Sequence, residues 1–170
     1  MLGKGGKTIG DLVRRDIPVI QGYRPDILIL LLGDNDIRCD TSAEEIANHL
    51  IALASQLYMG GHVSRIVLRQ MMPLSRAPRV AQHRMWGVTR RNADRYLLSY
   101  RQQAQEANRL LKEAASSSRF LTFWDHNKKF RFIEDGQSQE GKFAADGIPL
   151  VPRGQYQLTL QIVARCASVC

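Results

Sequence analysis

The chain has 170 residues, of which 44% are hydrophobic and 24% charged, with a net charge of +8. This size and composition predict one globular domain with a sizeable core. It has no apolar run of about 18 residues and no charged start followed by an apolar segment, so we expect neither a membrane span nor a secretory signal, and no membrane partner. Its three scattered cysteines argue against a disulfide framework and favour a reducing, cytoplasmic location.

The first half of the sequence predicts a helix, a strand and a second helix. Residues 8–22 have a helical pattern that Pro18 would end or bend. Residues 26–32 contain six consecutive apolar side chains, which indicate a strand buried on both faces, as in a parallel sheet. The next helix opens with a capping box in one of two registers, starting at Thr41 or at Ser42. Its apolar side chains keep helical spacing along one face: Ile46, Leu50, Leu53 and Leu57.

The second half continues the alternation of strands and helices. We expect a strand at 64–69, a long helix at 92–115, a third strand at 119–124 and a closing helix at 153–169. The long helix has a predicted inward stripe: Tyr96, Tyr100, Ala107, Leu110, Leu111 and Ala114. Strands that alternate with helices indicate βαβ units, so the expected fold is α/β, with a parallel sheet flanked by helices in a single domain over residues 1–170.

Polar residues follow the first predicted strand directly. The sequence from Gly33 to Asp36 is Gly-Asp-Asn-Asp, and the carboxyl ends of strands in open parallel sheets are where ligands bind. A second short motif, Asp-Gly-Ile-Pro-Leu, occupies residues 146–150. The order of these motifs, rather than either one alone, carries the functional argument.

Three segments in this order resemble the second, third and fifth sequence blocks of the SGNH (GDSL-type) hydrolases. The glycine-rich start resembles the second block, with Gly6 at the position whose backbone N–H helps to bind the oxyanion. The third block supplies a further oxyanion donor from an asparagine, here Asn35, and the fifth has an aspartate, here Asp146, that orients the catalytic imidazole. The resemblance covers nearly the whole chain. It implies a three-layer α/β/α flavodoxin-like sheet lacking most of its first two strands and, in intact relatives, hydrolysis of acyl or acetyl esters without a metal or other cofactor.

The chain departs from the family pattern at the nucleophile and at the base. Three residues after Asp146, where the family has a histidine, this chain has Pro149, which offers neither a side-chain base nor a backbone donor. The serine block, a Gly-Asp-Ser turn, would precede Gly6 and occurs nowhere in the chain. Since a serine hydroxyl needs a base held by an acid, the sequence predicts a catalytically inactive, N-terminally incomplete domain, in which Asp146 serves as a structural anchor. An active esterase with an upstream nucleophile is a third hypothesis, against which Pro149 counts.

The positive charge is concentrated between Arg65 and Arg101, where nine arginines stand against one acid, Asp94. Such a stripe is typical either of a solvated surface or of a nucleic-acid-binding one, so RNA or DNA is a candidate partner. The candidate phosphate-binding residues are Arg69, Arg76, Arg79, Arg84, Arg90 and Arg91. The Arg90–Arg91 pair and the Trp124–His126 segment resemble a branch of the SGNH family associated with retroelement-encoded proteins, which gives the alternative hypothesis of a nucleic-acid-associated accessory domain.

Three further features have competing explanations. Asn35 could be an ordinary turn residue after a strand. His126 and Cys39 could replace the missing base and nucleophile, or be a surface histidine and an inert thiol. If the strand that would pair with Ile27–Leu32 is missing, this strand becomes an exposed edge, and we expect self-association through it or marginal stability.

Overall fold

The computed structural model describes residues 7–72 and 92–125. They form, in chain order, α1 (Ile9–Arg15), α2 (Ile17–Tyr23), β1 (Ile27–Leu30), α3 (Asp34–Arg38), α4 (Ala43–Met59), β2 (Arg65–Arg69), α5 (Ala93–Ser116) and β3 (Leu121–Trp124). The chain divides into two compact units, residues 1–72 with 102–125 and residues 73–101 with 126–170. All the described elements except the first turns of α5 lie in the first unit. The expectation of a single domain stays a prediction.

The three strands form a parallel sheet in the order β1-β2-β3. Ile27 lies opposite Arg65 in the first pair, and Ile66 lies opposite Leu121 in the second. β2 lies between the other two strands, and its residues Ile66–Leu68 are buried although successive side chains point to opposite faces. The predicted α/β fold with a parallel sheet is confirmed.

β1 is shorter and more exposed than the sequence predicts. It has four residues, and only Leu30 among them is buried, while Leu31 just beyond it is 40% exposed. Within the described residues β1 pairs with β2 alone, so its other edge has no strand beside it there. The expectation of burial on both faces is therefore wrong for this strand, because an apolar run does not distinguish a central strand from an edge strand.

The single helix expected at residues 8–22 is broken into two. α1 ends at Arg15 and α2 begins at Ile17, with Asp16 as the cap residue between them. Pro18 lies in the first turn of α2, where its missing N–H is tolerated, whereas in a continuous helix its ring would clash with the carbonyl four residues earlier. The buried side chains of the two helices are those of Ile9, Ile17 and Ile20.

α4 is the amphipathic helix that the pattern predicts. Of the two possible capping registers the structure has the second: Ser42 Oγ accepts the Glu45 N–H at 3.2 Å, and the Glu45 carboxylate accepts the Ser42 N–H at 3.0 Å. The helix ends before Gly60, and it contacts β2, α1 and α3. All four residues of the predicted stripe are buried, and two alanines on the same helix are buried with them, Ala47 and Ala54.

α5 agrees with the predicted helix to within one residue at each end. Its buried residues are Tyr100, Ala104, Ala107, Asn108 and Leu111. The other predicted stripe positions, Tyr96, Leu110 and Ala114, are half-buried. The closing helix expected at 153–169 lies outside the described residues. None of the helices in residues 7–72 and 92–125 is long and apolar enough to cross a membrane.

Candidate active site at the strand ends

Because the strands are parallel, their carboxyl ends meet at one edge of the sheet. β1 is followed there by residues 33–36, which we call the Gly33 turn, and β2 is followed by residues 70–72, the β2 loop. Each residue of the Gly33 turn makes a different contact. Together these contacts fix the position of Asn35, the only residue with an expected site role that the structure describes in this turn.

Gly33 supplies the backbone conformation with which the turn begins. Its φ of 105° lies in the left-handed region, which favours glycine. A Cβ at this position would lie 2.5 Å from Cε of Met71 and 3.3 Å from Cγ2 of Ile46. A residue with a side chain would therefore be strained in its backbone and would also push aside the end of the Met71 side chain.

Asp34 joins the Gly33 turn to the end of β2. Its Oδ2 forms an ion pair with the Arg69 guanidinium, and its Oδ1 accepts the Met72 N–H at 3.1 Å. The Arg69 side chain is only 8% exposed. A buried guanidinium is stabilised when a carboxylate pairs with it, so Asp34 allows Arg69 to lie inside the fold. Arg69 thus differs from the exposed phosphate-binding residue that the sequence suggested.

Asn35 connects the Gly33 turn to the start of the described chain. Its Nδ2 donates to the Lys7 carbonyl at 2.9 Å, and its Oδ1 accepts from Nη1 of Arg38 at 3.2 Å. A side-chain amide nitrogen has two N–H bonds, so one remains beyond the bond to Lys7. The residue is half-buried, and it offers a neutral hydrogen-bond donor held from both ends.

Asp36 holds the first turn of α1. Its carboxylate is 5% exposed, and Oδ1 and Oδ2 lie 3.1 Å and 3.3 Å from the Ile9 nitrogen. Burial raises the pKa of Asp36 above its ordinary value, and the Ile9 N–H, which favours the carboxylate, offsets only part of this effect. The side chain acts as a buried acceptor for a helix N–H that has no partner within its own helix.

The segment that Asn35 and Asp36 hold is fixed by its own contacts as well. Thr8 caps α1 in a capping box with Asp11, and the Lys7 ammonium forms an ion pair with Asp16. Residues 7–9 thus carry the contacts that tie the segment resembling the second block to the third. Gly6, the expected oxyanion residue, adjoins this segment and lies outside the described residues.

The β2 loop is held by a side chain that the sequence analysis did not select. Asn108 of α5 is 7% exposed, and its amide binds both polar groups of one peptide residue. Its Oδ1 accepts the Met71 N–H at 2.8 Å, and its Nδ2 donates to the Met71 carbonyl at 3.2 Å. The sequence does contain a sign of this contact. Asn108 lies beside Ala107 in an otherwise apolar helix stripe, and a buried asparagine requires a hydrogen-bond partner.

The structure places few of the other expected site residues. Cys39 is exposed at the end of α3. Asp146, Pro149 and His126 lie outside the described residues. So do five of the six candidate phosphate-binding arginines: Arg76, Arg79, Arg84, Arg90 and Arg91. In residues 7–72 and 92–125 no group of three or more His, Cys, Asp or Glu side chains is placed to hold a metal ion.

The charges at the Gly33 turn are already engaged in holding the fold. Asp34 is paired with Arg69, and Asp36 binds the N-terminus of α1. What the turn offers a ligand is the amide of Asn35, a donor that can stabilise a developing negative charge. Within this turn, the neutral amide is therefore the group that could donate a hydrogen bond to a ligand.

Comparison with known proteins identifies the family of the chain and supports its fold. Residues 1–155 match the GDSL-like lipase/acylhydrolase family. The chain belongs to this family. A protein from Streptococcus pneumonia, described as a candidate platelet activating factor, has a similar solved structure with a TM-score of 0.68 at 20% sequence identity, over 94% of this chain and 68% of that one. At this identity the likeness concerns the fold alone, and together with the family match it supports the predicted SGNH hydrolase-like α/β fold. Among curated protein sequences none matches the chain significantly.

Proposed function

We propose that this GDSL-like domain keeps the scaffold of an oxyanion site but does not hydrolyse esters. The observation that carries the proposal is the position of Asn35, whose amide is held at 2.9 Å against the carbonyl of Lys7, the residue next to Gly6. In the family pattern Gly6 and Asn35 are the two oxyanion donors. The segment that follows Gly6 is held against the Gly33 turn by two long-range hydrogen bonds, from Asn35 to the Lys7 carbonyl and from the Ile9 N–H to Asp36. Such contacts are what a retained scaffold requires.

Two features of the sequence support the loss of catalysis. Pro149 stands where the family has its catalytic histidine, and no Gly-Asp-Ser occurs in the 170 residues. Removing either the nucleophile or the base of a serine triad costs about a million-fold in rate. The oxyanion donors alone accelerate the reaction by roughly a thousand-fold over water in an intact site, which is below the range of most enzymes. A serine outside the given sequence would still lack its base.

The test is the hydrolysis of an aryl acetate by the purified, folded chain, since acyl or acetyl esters are the expected substrates of intact relatives. Asn35→Ala and Asp146→Ala are measured beside the parent chain, with Gln105→Ala as a control on the exposed side of α5. We expect all four rates to equal that of buffer. Turnover that falls in Asn35→Ala and Asp146→Ala but persists in Gln105→Ala would contradict the proposal, and His126 and Cys39 would be the next residues to change.

The arginine-rich region favours a second candidate, a nucleic-acid-associated accessory domain of the retroelement-associated branch. Between Arg65 and Arg101 nine arginines stand against one acid. Binding through phosphates would weaken steeply with salt, with a log–log slope of about −0.7 for each phosphate contact to single strands. Fluorescence anisotropy with a labelled single-stranded RNA tests this candidate. We expect the slope to become less steep when Arg90 and Arg91 are changed to Gln and to stay unchanged in Arg14→Gln, an exposed arginine outside the stripe. Absent or salt-independent binding would exclude this candidate.

A further inference from the structure

The amide of Asn35 is bound at both of its ends. Nη1 of Arg38 donates to Oδ1 at 3.2 Å, and Nδ2 donates to the Lys7 carbonyl at 2.9 Å. Asn35 and Arg38 lie three residues apart on α3, so their side chains are neighbours on one face of the helix. Lys7 is 28 residues earlier in the sequence. One contact is therefore local and the other is tertiary.

The two contacts select one orientation of the amide. If the amide were rotated by half a turn, Nδ2 would face the guanidinium and Oδ1 would face the Lys7 carbonyl. Two donors would then face each other at one end and two acceptors at the other. A guanidinium has five N–H donors, no acceptor, and stays protonated, so Arg38 cannot adapt to the rotated amide.

We propose that Arg38 is a positioning residue for Asn35, holding the amide so that its N–H groups, and not its oxygen, face the segment that follows Gly6. The significance of this orientation rests on the proposed oxyanion role of Asn35, because an oxyanion requires a donor there. A charge-assisted bond to Oδ1 also polarises the amide and strengthens donation from Nδ2. Arg38 thus acts through Asn35 without touching a ligand.

Arg38 has a second, structural effect that the test must separate. It lies in the last turn of α3, where a positive charge is favourable to the helix. Arg38→Lys keeps this charge and offers only donors to Oδ1, whereas Arg38→Met removes both. Arg14→Met is the matched control, because Arg14 is also in the last turn of a short helix and also contacts the residue three before it, Asp11.

The readout is the Nδ2 proton pair of Asn35 in ¹H–¹⁵N spectra of the full chain. We expect its exchange with water to be slowed by about ten-fold relative to the exposed amide of Gln105, since one proton is bound to Lys7. Arg38→Met should remove most of this protection and move the proton shifts towards those of Gln105. Arg38→Lys and Arg14→Met should keep both. If Arg38 acted only through its charge at the end of α3, Arg38→Met would lower the free energy of unfolding but would leave the Asn35 signals as they are in the parent chain, Arg38→Lys and Arg14→Met.

The inference is overturned if Arg38→Met leaves the Asn35 shifts and protection as they are in the parent chain. If that variant does not fold, the parent chain decides: nuclear Overhauser contacts from the Nδ2 protons must reach Lys7 rather than the Arg38 guanidinium, and the reverse result overturns the inference. Ester hydrolysis is scored separately. Detected turnover would reject the proposed loss of catalysis, and unchanged Asn35 signals would reject the role of Arg38 alone.

Discussion

At the scale of single residues, each of the four residues of the Gly33 turn makes a different contact with the rest of the fold. Asn35 donates to the Lys7 carbonyl, Gly33 leaves room for the Met71 side chain, Asp34 pairs with Arg69 and Asp36 accepts the Ile9 N–H. The family pattern identifies the turn, but the tasks of the three residues around Asn35 depend on what packs against them. Two of these tasks give testable expectations.

Replacing Gly33 should destabilise the chain for two separable reasons. Gly33→Ala places a β carbon at a φ of 105° and 2.5 Å from Met71 Cε, whereas Gly61→Ala places one at a φ of 68° with nothing within 4 Å. A left-handed conformation at a non-glycine residue costs about 1–3 kcal/mol. We expect urea denaturation to show that cost in Gly61→Ala and a larger one in Gly33→Ala. Equal losses would mean that Met71 moves aside freely.

Asp36 should make stability depend on pH. Its native pKa lies above the ordinary value of 3.8 because the carboxyl is buried, so in that interval the native chain binds more protons than the unfolded chain. The free energy of unfolding contributed by Asp36 therefore falls as pH rises through the interval. Asp36→Asn cannot titrate and still offers an oxygen to the Ile9 N–H.

Denaturation of three chains between about pH 4 and pH 7 tests this expectation. The stability of Asp36→Asn relative to the parent chain should rise with pH. Asp36→Ala, which leaves the Ile9 N–H without its acceptor, should be about 1–3 kcal/mol less stable than Asp36→Asn at all pH values, because neither variant titrates at this position. A difference between Asp36→Asn and the parent chain that is constant with pH would show that the pKa of Asp36 is not raised.

At the scale of elements, local sequence patterns limit the start of helix α4 to two adjacent positions. Two overlapping capping boxes, Thr41 with Glu44 and Ser42 with Glu45, are written in the sequence, and the structure uses the second. The register that starts at Ser42 lets the helix begin at Ala43, with Ile46 as the first buried residue of its stripe. Pro18 sets the break between α1 and α2 by equally local sterics.

The register makes a paired prediction about two adjacent side chains. Ser42→Ala should lower the free energy of unfolding by about 1 kcal/mol, because the Glu45 N–H loses its capping acceptor. Thr41→Ala should change it by less than about 0.5 kcal/mol, the usual range for surface substitutions away from such features. Both values come from urea denaturation at one pH. A larger loss in Thr41→Ala than in Ser42→Ala would place the cap in the other register.

At the scale of the whole molecule, the site is assembled from segments far apart in the sequence. The Gly33 turn binds residues 7–9 on one side and the β2 loop on the other, and α5 binds the β2 loop through Asn108. These contacts fix loops at the carboxyl ends of parallel strands. Loops held by buried hydrogen bonds open less readily than free ones.

We therefore expect Asn108 to contribute much more to stability than an exposed amide on the same helix. Asn108→Ala leaves the N–H and the carbonyl of Met71 without their partner, and each buried unpaired group costs about 1–3 kcal/mol. We expect thermal denaturation to show a large loss, whereas Gln105→Ala, an amide on the exposed side of the same helix, leaves the midpoint nearly unchanged. Asn108→Asp can accept from Met71 but cannot donate, so it should not restore stability. Full stability in Asn108→Ala would mean that other groups replace this contact.

We predict that the chain self-associates through β1, because β1 lies at an edge of the described sheet. An apolar strand that pairs on one side only can pair with a second copy, and Leu31 beside it is 40% exposed. Sedimentation velocity should show association that increases with protein concentration. Leu31→Lys should suppress it, because a charge at an edge opposes pairing, while Met59→Lys, at an exposed position on α4, should not. A monodisperse monomer with a sharp melt would contradict the prediction.

The sequence by itself determined the α/β class, the amphipathic helix α4, the limits of α5 and the strand end at which Asn35 lies. These features follow from periodicity, caps and turn residues, which act over a few neighbouring positions. Only the tertiary structure decided that Asp34 buries Arg69, that Asp36 holds Ile9 and that Asn108 clamps Met71, since each contact joins residues 27 to 37 positions apart. It also decided that only Leu30 in β1 is buried, because the burial of a strand depends on what packs against it, and an apolar run carries no information about those neighbours.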